Sequence, residues 1–384
     1  MDIKVFIEIF LKRLCTIILY ILRIFPIDSH KVVLSNFNGK GYGDNPKYIA
    51  EILREKSLYK LIWLCDDITD KFPNGVFPVK RFSLKGFYHL ATSKIWIDNS
   101  RKGYYIRKRK NQVYIQTWHG GEGLKKCEGD AIEALPNSWI KASKNDSNMI
   151  NFAISNSKFN TELYRRAFWY NGEILEFGSP RNDILYRKDK HHQIIDNVYS
   201  FFNIEKEYKI ILYTPTFRDN SDYSVYDLNY EKVIEQFESH FSEKFKFIIK
   251  IHPKMDLSEL KIKYNEKIID GSNYSDLYEL MIASNIMISD YSSCMFEMGY
   301  MGKPVFIYAT DYEYYGSTRG FLFDLKELPY IFTTSNEELY SYIKDFNIDN
   351  YQKKLFHFNN QLGIINDGKG AYRVAQLIDD IINK

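Results

Sequence analysis

A chain of 384 residues is too long for one ordinary hydrophobic core, so two domains are expected. Apolar residues make up 45% and charged residues 26%, a globular balance and not a disordered one. A net charge of +3 argues against a nucleic-acid partner, and four scattered cysteines without a CxxC pair exclude a disulfide scaffold and suit a reducing cytoplasm.

The first 28 residues, MDIKVFIEIFLKRLCTIILYILRIFPID, are apolar but interrupted by Lys4, Glu8, Lys12, Arg13 and Arg23. The longest charge-free run, Leu14 to Leu22, falls far short of the roughly 20 residues a spanning helix needs. No small-residue cleavage site follows. An amphipathic helix in the membrane interface, with cations toward anionic headgroups, is the expectation for residues 1–28. A helix packed on the protein itself is the alternative.

From residue 30 onward short apolar runs alternate with helix-length segments, the pattern of a parallel α/β sheet. Strands are predicted at 31–36, 61–66, 94–99, 112–117, 152–156 and 174–178. A second series is predicted at 209–215, 245–252, 267–270, 285–290 and 303–308. The charged stretch 187–197 separates the series. Two doubly wound Rossmann-like domains, 29–190 and 191–384, with a cleft beyond the strand ends, are therefore expected.

The unusual residues fall at those ends. VVLSNFNGKGYGDN places Gly39, Gly41 and Gly43 after the first strand, but not in GxGxxG spacing, so a dinucleotide site is not indicated. VYIQTWHGGEGLKK sets His119 at a strand mouth beside Gly120 and Gly121, with Lys125 and Lys126 beyond. A histidine titrates near neutral pH and can move a proton, and cations suit phosphate. Arg181 in FGSPRND, Arg218 in LYTPTFRDN and His252 in IIKIHPK also end strands. SDYSSCMFEMGYMGKP offers Ser292 or Ser293 as the cap of a helix whose free N–H groups suit a phosphate. Glu297, one turn on, is placed to hold ribose hydroxyls. Each has an ordinary structural reading; their convergence points to a site for a phosphorylated ligand.

WHGG…LKK, GSPRNDIL, YTPTFRDN, IKIHPK, SDYSSCMFEMGYMGKPVFIY, STRGFLFDL and DGKGAYRV occur in that order. Together they resemble the CDP-glycerol glycerophosphotransferases of teichoic-acid and capsule synthesis, over roughly residues 90–380. The resemblance implies a glycosyltransferase-B-like fold associated peripherally with the cytoplasmic face of the membrane. It implies transfer of a polyol phosphate from CDP-glycerol or another CDP-polyol to a lipid-linked or polymeric glycan hydroxyl, with release of CMP. His119 then matches the general base and His252 the histidine on the donor pyrophosphate. Ser292 and Ser293 match the phosphate-binding helix tip, and Arg218 and Arg319 lie in matching basic motifs. Arg181 and Glu297 are expected on the donor side, and Gly120, Gly121 and Lys125 on the acceptor side. The family's usual WHGTPLK reads WHGGEGLKK here, which opens the acceptor and the polyol to question. The scheme requires no metal, and Mg²⁺ on the pyrophosphate is compatible with it. CDP-ribitol transfer, sugar transfer from a nucleotide sugar, and a catalytically silent membrane scaffold are the competing readings.

Overall fold

The computed structural model describes residues 3–69, 71–120, 122–218, 223–251, 255 and 262–383, with the backbone alone for 3–9 and 317–319. Among these residues two all-parallel sheets form. The first runs β3-β2-β1-β4-β5-β6-β7 and the second β10-β9-β8-β11-β12-β13. The first comprises β1 (Asp28–Ser35), β2 (Lys60–Cys65), β3 (Val76–Lys80), β4 (Ser93–Asp98), β5 (Val113–Gln116), β6 (Phe152–Ile154) and β7 (Glu173–Leu175). The second comprises β8 (Tyr208–Thr214), β9 (Lys244–Ile249), β10 (Ile268–Asp270), β11 (Ile286–Ser289), β12 (Val305–Tyr308) and β13 (Ile331–Thr333).

Each sheet is doubly wound, as expected, and its strand order reverses beside its first strand. In the first sheet Val33 pairs with Ile62 of β2 on one side and Trp96 of β4 on the other. In the second, Leu212 of β8 pairs with Ile248 of β9 and Met287 of β11. Ligands of such sheets bind outside the carboxyl ends of the strands at this reversal. The residues that follow β1 and β4, and those that follow β8 and β11, therefore matter most.

Side chains alternate across the first sheet with the period of two that a strand imposes. Val32 and Leu34 enter one core with Ile49 and Leu53 of the helix Asp44–Lys56. Val33 enters the opposite core with Leu19, Phe87, Leu90 and Trp96. The eleven predicted strands all form. Two edge strands were not predicted: β3, which contains Pro78, and β13, three residues long. Proline lacks a ladder donor and is tolerated at an edge, so β3 does not read as a strand.

The chain divides into two compact units, which depart from the expected boundaries. One comprises 1–120, 127–183 and 364–384; the other 121–126 and 184–363. The stretch 187–197 forms the N-cap, Arg187, and the first ten residues of the helix Lys188–Phe201 of the second unit. Residues 364–384, expected in the second domain, return to the first. Their helix, Gly370–Ile382, buries Ala371, Val374, Ala375 and Ile378 in the core with Ile49 and Leu53. The Asp183 carboxylate accepts from the N–H groups of Gly370 and Ala371 at 2.8 and 2.7 Å and caps that helix. Ile378→Ala is expected to lower stability by about 2–5 kcal/mol, read as the urea midpoint. An unchanged midpoint would contradict this packing.

The N-terminal helix, Ile3–Ile21, is part of the first unit and not a separate element. Leu19 is buried and Ile18 and Leu22 are half-buried against Val33 and Trp96. The Thr16 hydroxyl donates to the Tyr105 carbonyl at 2.8 Å. A second apolar face, Phe10, Leu14, Ile17 and Ile21, is exposed. Among the described residues no helix is long and apolar enough to cross a membrane.

Candidate active site

In the first unit β5 delivers His119 beyond the sheet. Trp118, just before it, has φ +52°, a conformation that bulky residues seldom adopt. Three contacts hold it there. Its N–H donates to Gln116 Oε1 at 2.9 Å, its carbonyl accepts from Asn45 Nδ2 at 3.0 Å, and its ring meets Phe168 edge-on. The His119 ring stacks on Trp118, with centroids 4.4 Å apart, and meets Phe37 edge-on.

His119 Nδ1 lies 2.5 Å from the Asn99 carbonyl, just past β4. A carbonyl only accepts, so Nδ1 carries the proton and the neutral ring keeps its lone pair on Nε2. Burial lowers the His119 pKa from the ordinary 6.5, against the opposing pull of the Asn99 carbonyl and Asp44. The imidazole therefore stays neutral at neutral pH, the state a general base needs.

Arg181 is placed beside His119. It is buried, and its Nη1 donates to Asp44 Oδ2 at 2.7 Å and to the His119 carbonyl at 3.0 Å. This arrangement suits a support of the histidine loop better than the phosphate ligand expected from the sequence. Gly120 is half-buried, and a Cβ there would meet Trp118 at an ordinary 3.6 Å. The bare backbone expected to admit a ligand is thus not sterically required at Gly120. Gly121 lies outside the described residues.

In the second unit β8 and β11 deliver a buried ionic cluster. Arg218 Nε and Nη2 donate to the Asp311 carboxylate at 2.8 and 3.0 Å, and Nη1 to Asp290 Oδ2 at 2.8 Å. The guanidinium also lies 4.7 and 4.9 Å from the ring centres of Tyr291 and Tyr315. Those rings stack 3.9 Å apart. Burial alone would lower the Arg218 pKa, but Asp290 and Asp311 outweigh it and raise it.

Ser293 is the N-cap of the short helix Cys294–Tyr300, yet its hydroxyl makes no capping bond; Ser292 Oγ accepts from the Cys294 N–H at 3.5 Å. Both serines are half-buried. Glu297 is only 1% exposed and accepts from the Tyr278 hydroxyl at 3.4 Å, so it belongs to the interior of this unit and not to an open ribose site. Lys125, expected on the acceptor side, clusters instead with the second unit. Its ammonium lies 5.0 Å from the Tyr315 ring, and its backbone bridges Phe321. Glu122, from the departing WHGGEG motif, is fully buried, also in the second unit. His252 lies outside the described residues, as does the side chain of Arg319. No group of three or more His, Cys, Asp or Glu among the described residues is placed to hold a metal ion.

Sequence reasoning missed Asp44, Asn45, Asn99 and Asp311. The available signal was Asp-Asn directly after the glycines that follow the first strand, at the point where the sheet order reverses.

Two parallel doubly wound units, with a neutral histidine beyond one sheet and a buried arginine–aspartate cluster beyond the other, make a fold of the glycosyltransferase-B type. A family model for CDP-glycerol:poly(glycerophosphate) glycerophosphotransferase matches residues 17–380, and the chain belongs to that family of polyol-phosphate transferases. It is 33% identical over 330 residues to a teichoic acid poly(glycerol phosphate) polymerase of Bacillus spizizenii, covering 83% of each chain. It is 32% identical to a polymerase of the same name from Staphylococcus epidermidis, over 92% of this chain but half of that one. The solved wall teichoic acid polymerase TagF superposes with a TM-score of 0.83 at 29% identity, covering 98% of this chain and 95% of that one.

Proposed function

We propose that the chain transfers glycerol phosphate from CDP-glycerol to a hydroxyl of a membrane-linked or polymeric acceptor and releases CMP. The observation that carries this is the tautomer of His119, a neutral base held by a backbone carbonyl. His119 Nε2 takes the acceptor proton. The acceptor oxygen forms a bond to the glycerol-bearing phosphorus, and the phosphoanhydride bond breaks with its electron pair going to CMP. Base catalysis supplies about 10²–10⁴-fold, and charge stabilisation and positioning supply most of the rest.

On the donor side the reading assigns pyrophosphate contact to Ser292, Ser293, His252 and Arg319. Arg218 orders that region through Asp290 and Asp311. Glycerol is favoured over ribitol because a poly(ribitol-phosphate) polymerase of Bacillus spizizenii is 27% identical, against 33% for the glycerol enzyme of the same organism. A solved TagF variant soaked with CDPG is 28% identical with a TM-score of 0.81, consistent with a CDP-glycerol donor. The test supplies CDP-glycerol labelled in its glycerol, with and without EDTA. Label entering the acceptor in a one-to-one ratio with CMP is expected. CMP release without label transfer would contradict the reading. Loss of activity in EDTA, restored by Mg²⁺, would place a cation on the pyrophosphate.

The exposed face of the N-terminal helix supports peripheral binding to a membrane surface, with Lys12 and Arg13 exposed beside it. Ile17→Asp with Ile21→Asp is expected to abolish sedimentation with anionic vesicles and leave the fold intact, since both side chains are exposed. Undiminished sedimentation would contradict this.

A further inference from the structure

The glycine segment after β1 does not form a dinucleotide fingerprint, yet it ends in two polar residues at the centre of the first unit's site. Asp44 opens the helix Asp44–Lys56 with φ +54°, an unfavourable conformation for a residue with a side chain. Its carboxylate is gripped on both oxygens. Oδ1 accepts from Asn99 Nδ2 at 2.9 Å and from the Asn45 N–H at 2.8 Å, and Oδ2 accepts from Arg181 Nη1 at 2.7 Å.

Both partners hold His119. The Asn99 carbonyl receives Nδ1, and Arg181 Nη1 binds the His119 carbonyl. Asn99 is wholly buried; its Nδ2 also donates to Asn36 Oδ1 at 2.8 Å, and its Oδ1 accepts from the Phe37 N–H at 2.8 Å and from Ser100 Oγ at 3.4 Å. Asn45 completes the frame. Its Nδ2 donates to the carbonyls of Thr117 and Trp118, and its Oδ1 accepts from Ser179 Oγ and the Arg181 N–H.

We propose that Asp44 is the positioning residue of the base, its carboxylate tying together the two segments that fix the His119 ring and main chain. The inference rests on the reading of His119 as the base. An amide at position 44 offers one acceptor oxygen where the carboxylate offers two, so one grip is lost and the buried Arg181 loses its counter-charge. A ring misplaced by about 1 Å costs about 10²-fold in rate.

The charge has its own consequence. The charged groups acting on His119 are Asp44 and Asp98, which raise its pKa, and Arg181, which lowers it. Asp98 is itself paired with Lys102 at 2.8 Å, and the rings of Phe37 and Trp118 that pack on the imidazole are uncharged. Removing the Asp44 charge leaves Arg181 opposed by Asp98 alone, so the acid limb of the rate profile moves to lower pH.

The test is the pH profile of kcat/KM, with kcat and the donor KM, for wild type, Asp44→Asn and Asp44→Glu, with donor binding by calorimetry and His119→Ala alongside. Asp44→Asn is expected to lose about 10²-fold in kcat, keep the donor KM and shift the acid limb downward. Asp44→Glu, which keeps the charge, is expected to recover part of the rate and the wild-type limb. It carries the test through the same split of kcat from KM should Asp44→Asn not fold. An Asp44→Asn profile with its acid limb unmoved overturns the proposal and leaves the base assignment standing. Wild-type turnover in His119→Ala overturns the base assignment itself.

Discussion

His119→Ala lowers turnover by about 10²–10⁴-fold while donor binding by calorimetry is kept. The loss follows from the geometry of the first unit. Asn99 holds Nδ1–H, so Nε2 carries the lone pair that takes the acceptor proton, and alanine removes it. The wild-type pH profile carries the matching signature. Because burial lowers the His119 pKa, the neutral form persists below pH 6.5, and the acid limb of kcat/KM, which reports the free enzyme, falls below that value. A limb above 6.5, or an alanine variant with full turnover, contradicts the assignment. Weakened donor binding in the same variant would instead place His119 on the donor.

Arg218→Met is the second large effect. Its guanidinium is the shared counter-charge of Asp290 and Asp311, and it is buried against Tyr291. Removing one partner of a buried ionic cluster costs about 3–5 kcal/mol, so the second unit is expected to unfold at markedly lower urea. Asp311 has a lowered pKa: burial opposes this, and the Arg218 contacts outweigh it. A carboxylate depressed in the folded state contributes stability above its unfolded pKa, and that contribution is lost as pH falls through the folded value. The variant is therefore expected to lose most of its stability deficit in acid. Near-normal stability with abolished donor binding would make Arg218 a direct phosphate ligand and overturn its role as a scaffold.

Much of this architecture is legible in the sequence because the central strands are buried on both faces and read as continuous apolar runs. The edges are not. Pro78 hides β3, and three residues are too few to announce β13. The return of the C-terminal helix depends on Ala371, Val374 and Ile378 finding Ile49 and Leu53 more than 300 positions away, which no local pattern encodes.

The same limit governs the site. His119, Arg181 and Arg218 stand out because they end predicted strands. Their settings depend on distant partners: Asp44 for Arg181, and Asp311, 93 positions from Arg218. Local spacing placed Glu297 one turn beyond the helix tip but could not tell a ligand from a buried carboxylate. Lys125 follows His119 by six positions, yet the chain passes into the second unit after Gly120, so nearness in sequence does not put the two in one unit.

The measurement that bears most directly on the central claim is CMP release by the full chain with a membrane-derived acceptor. CDP-glycerol, CDP-ribitol and a UDP-sugar are supplied in turn. The account predicts acceptor-dependent CMP from CDP-glycerol, well above that from CDP-ribitol, and no UDP. UDP release from the sugar donor, with both CDP-polyols inert, would contradict it.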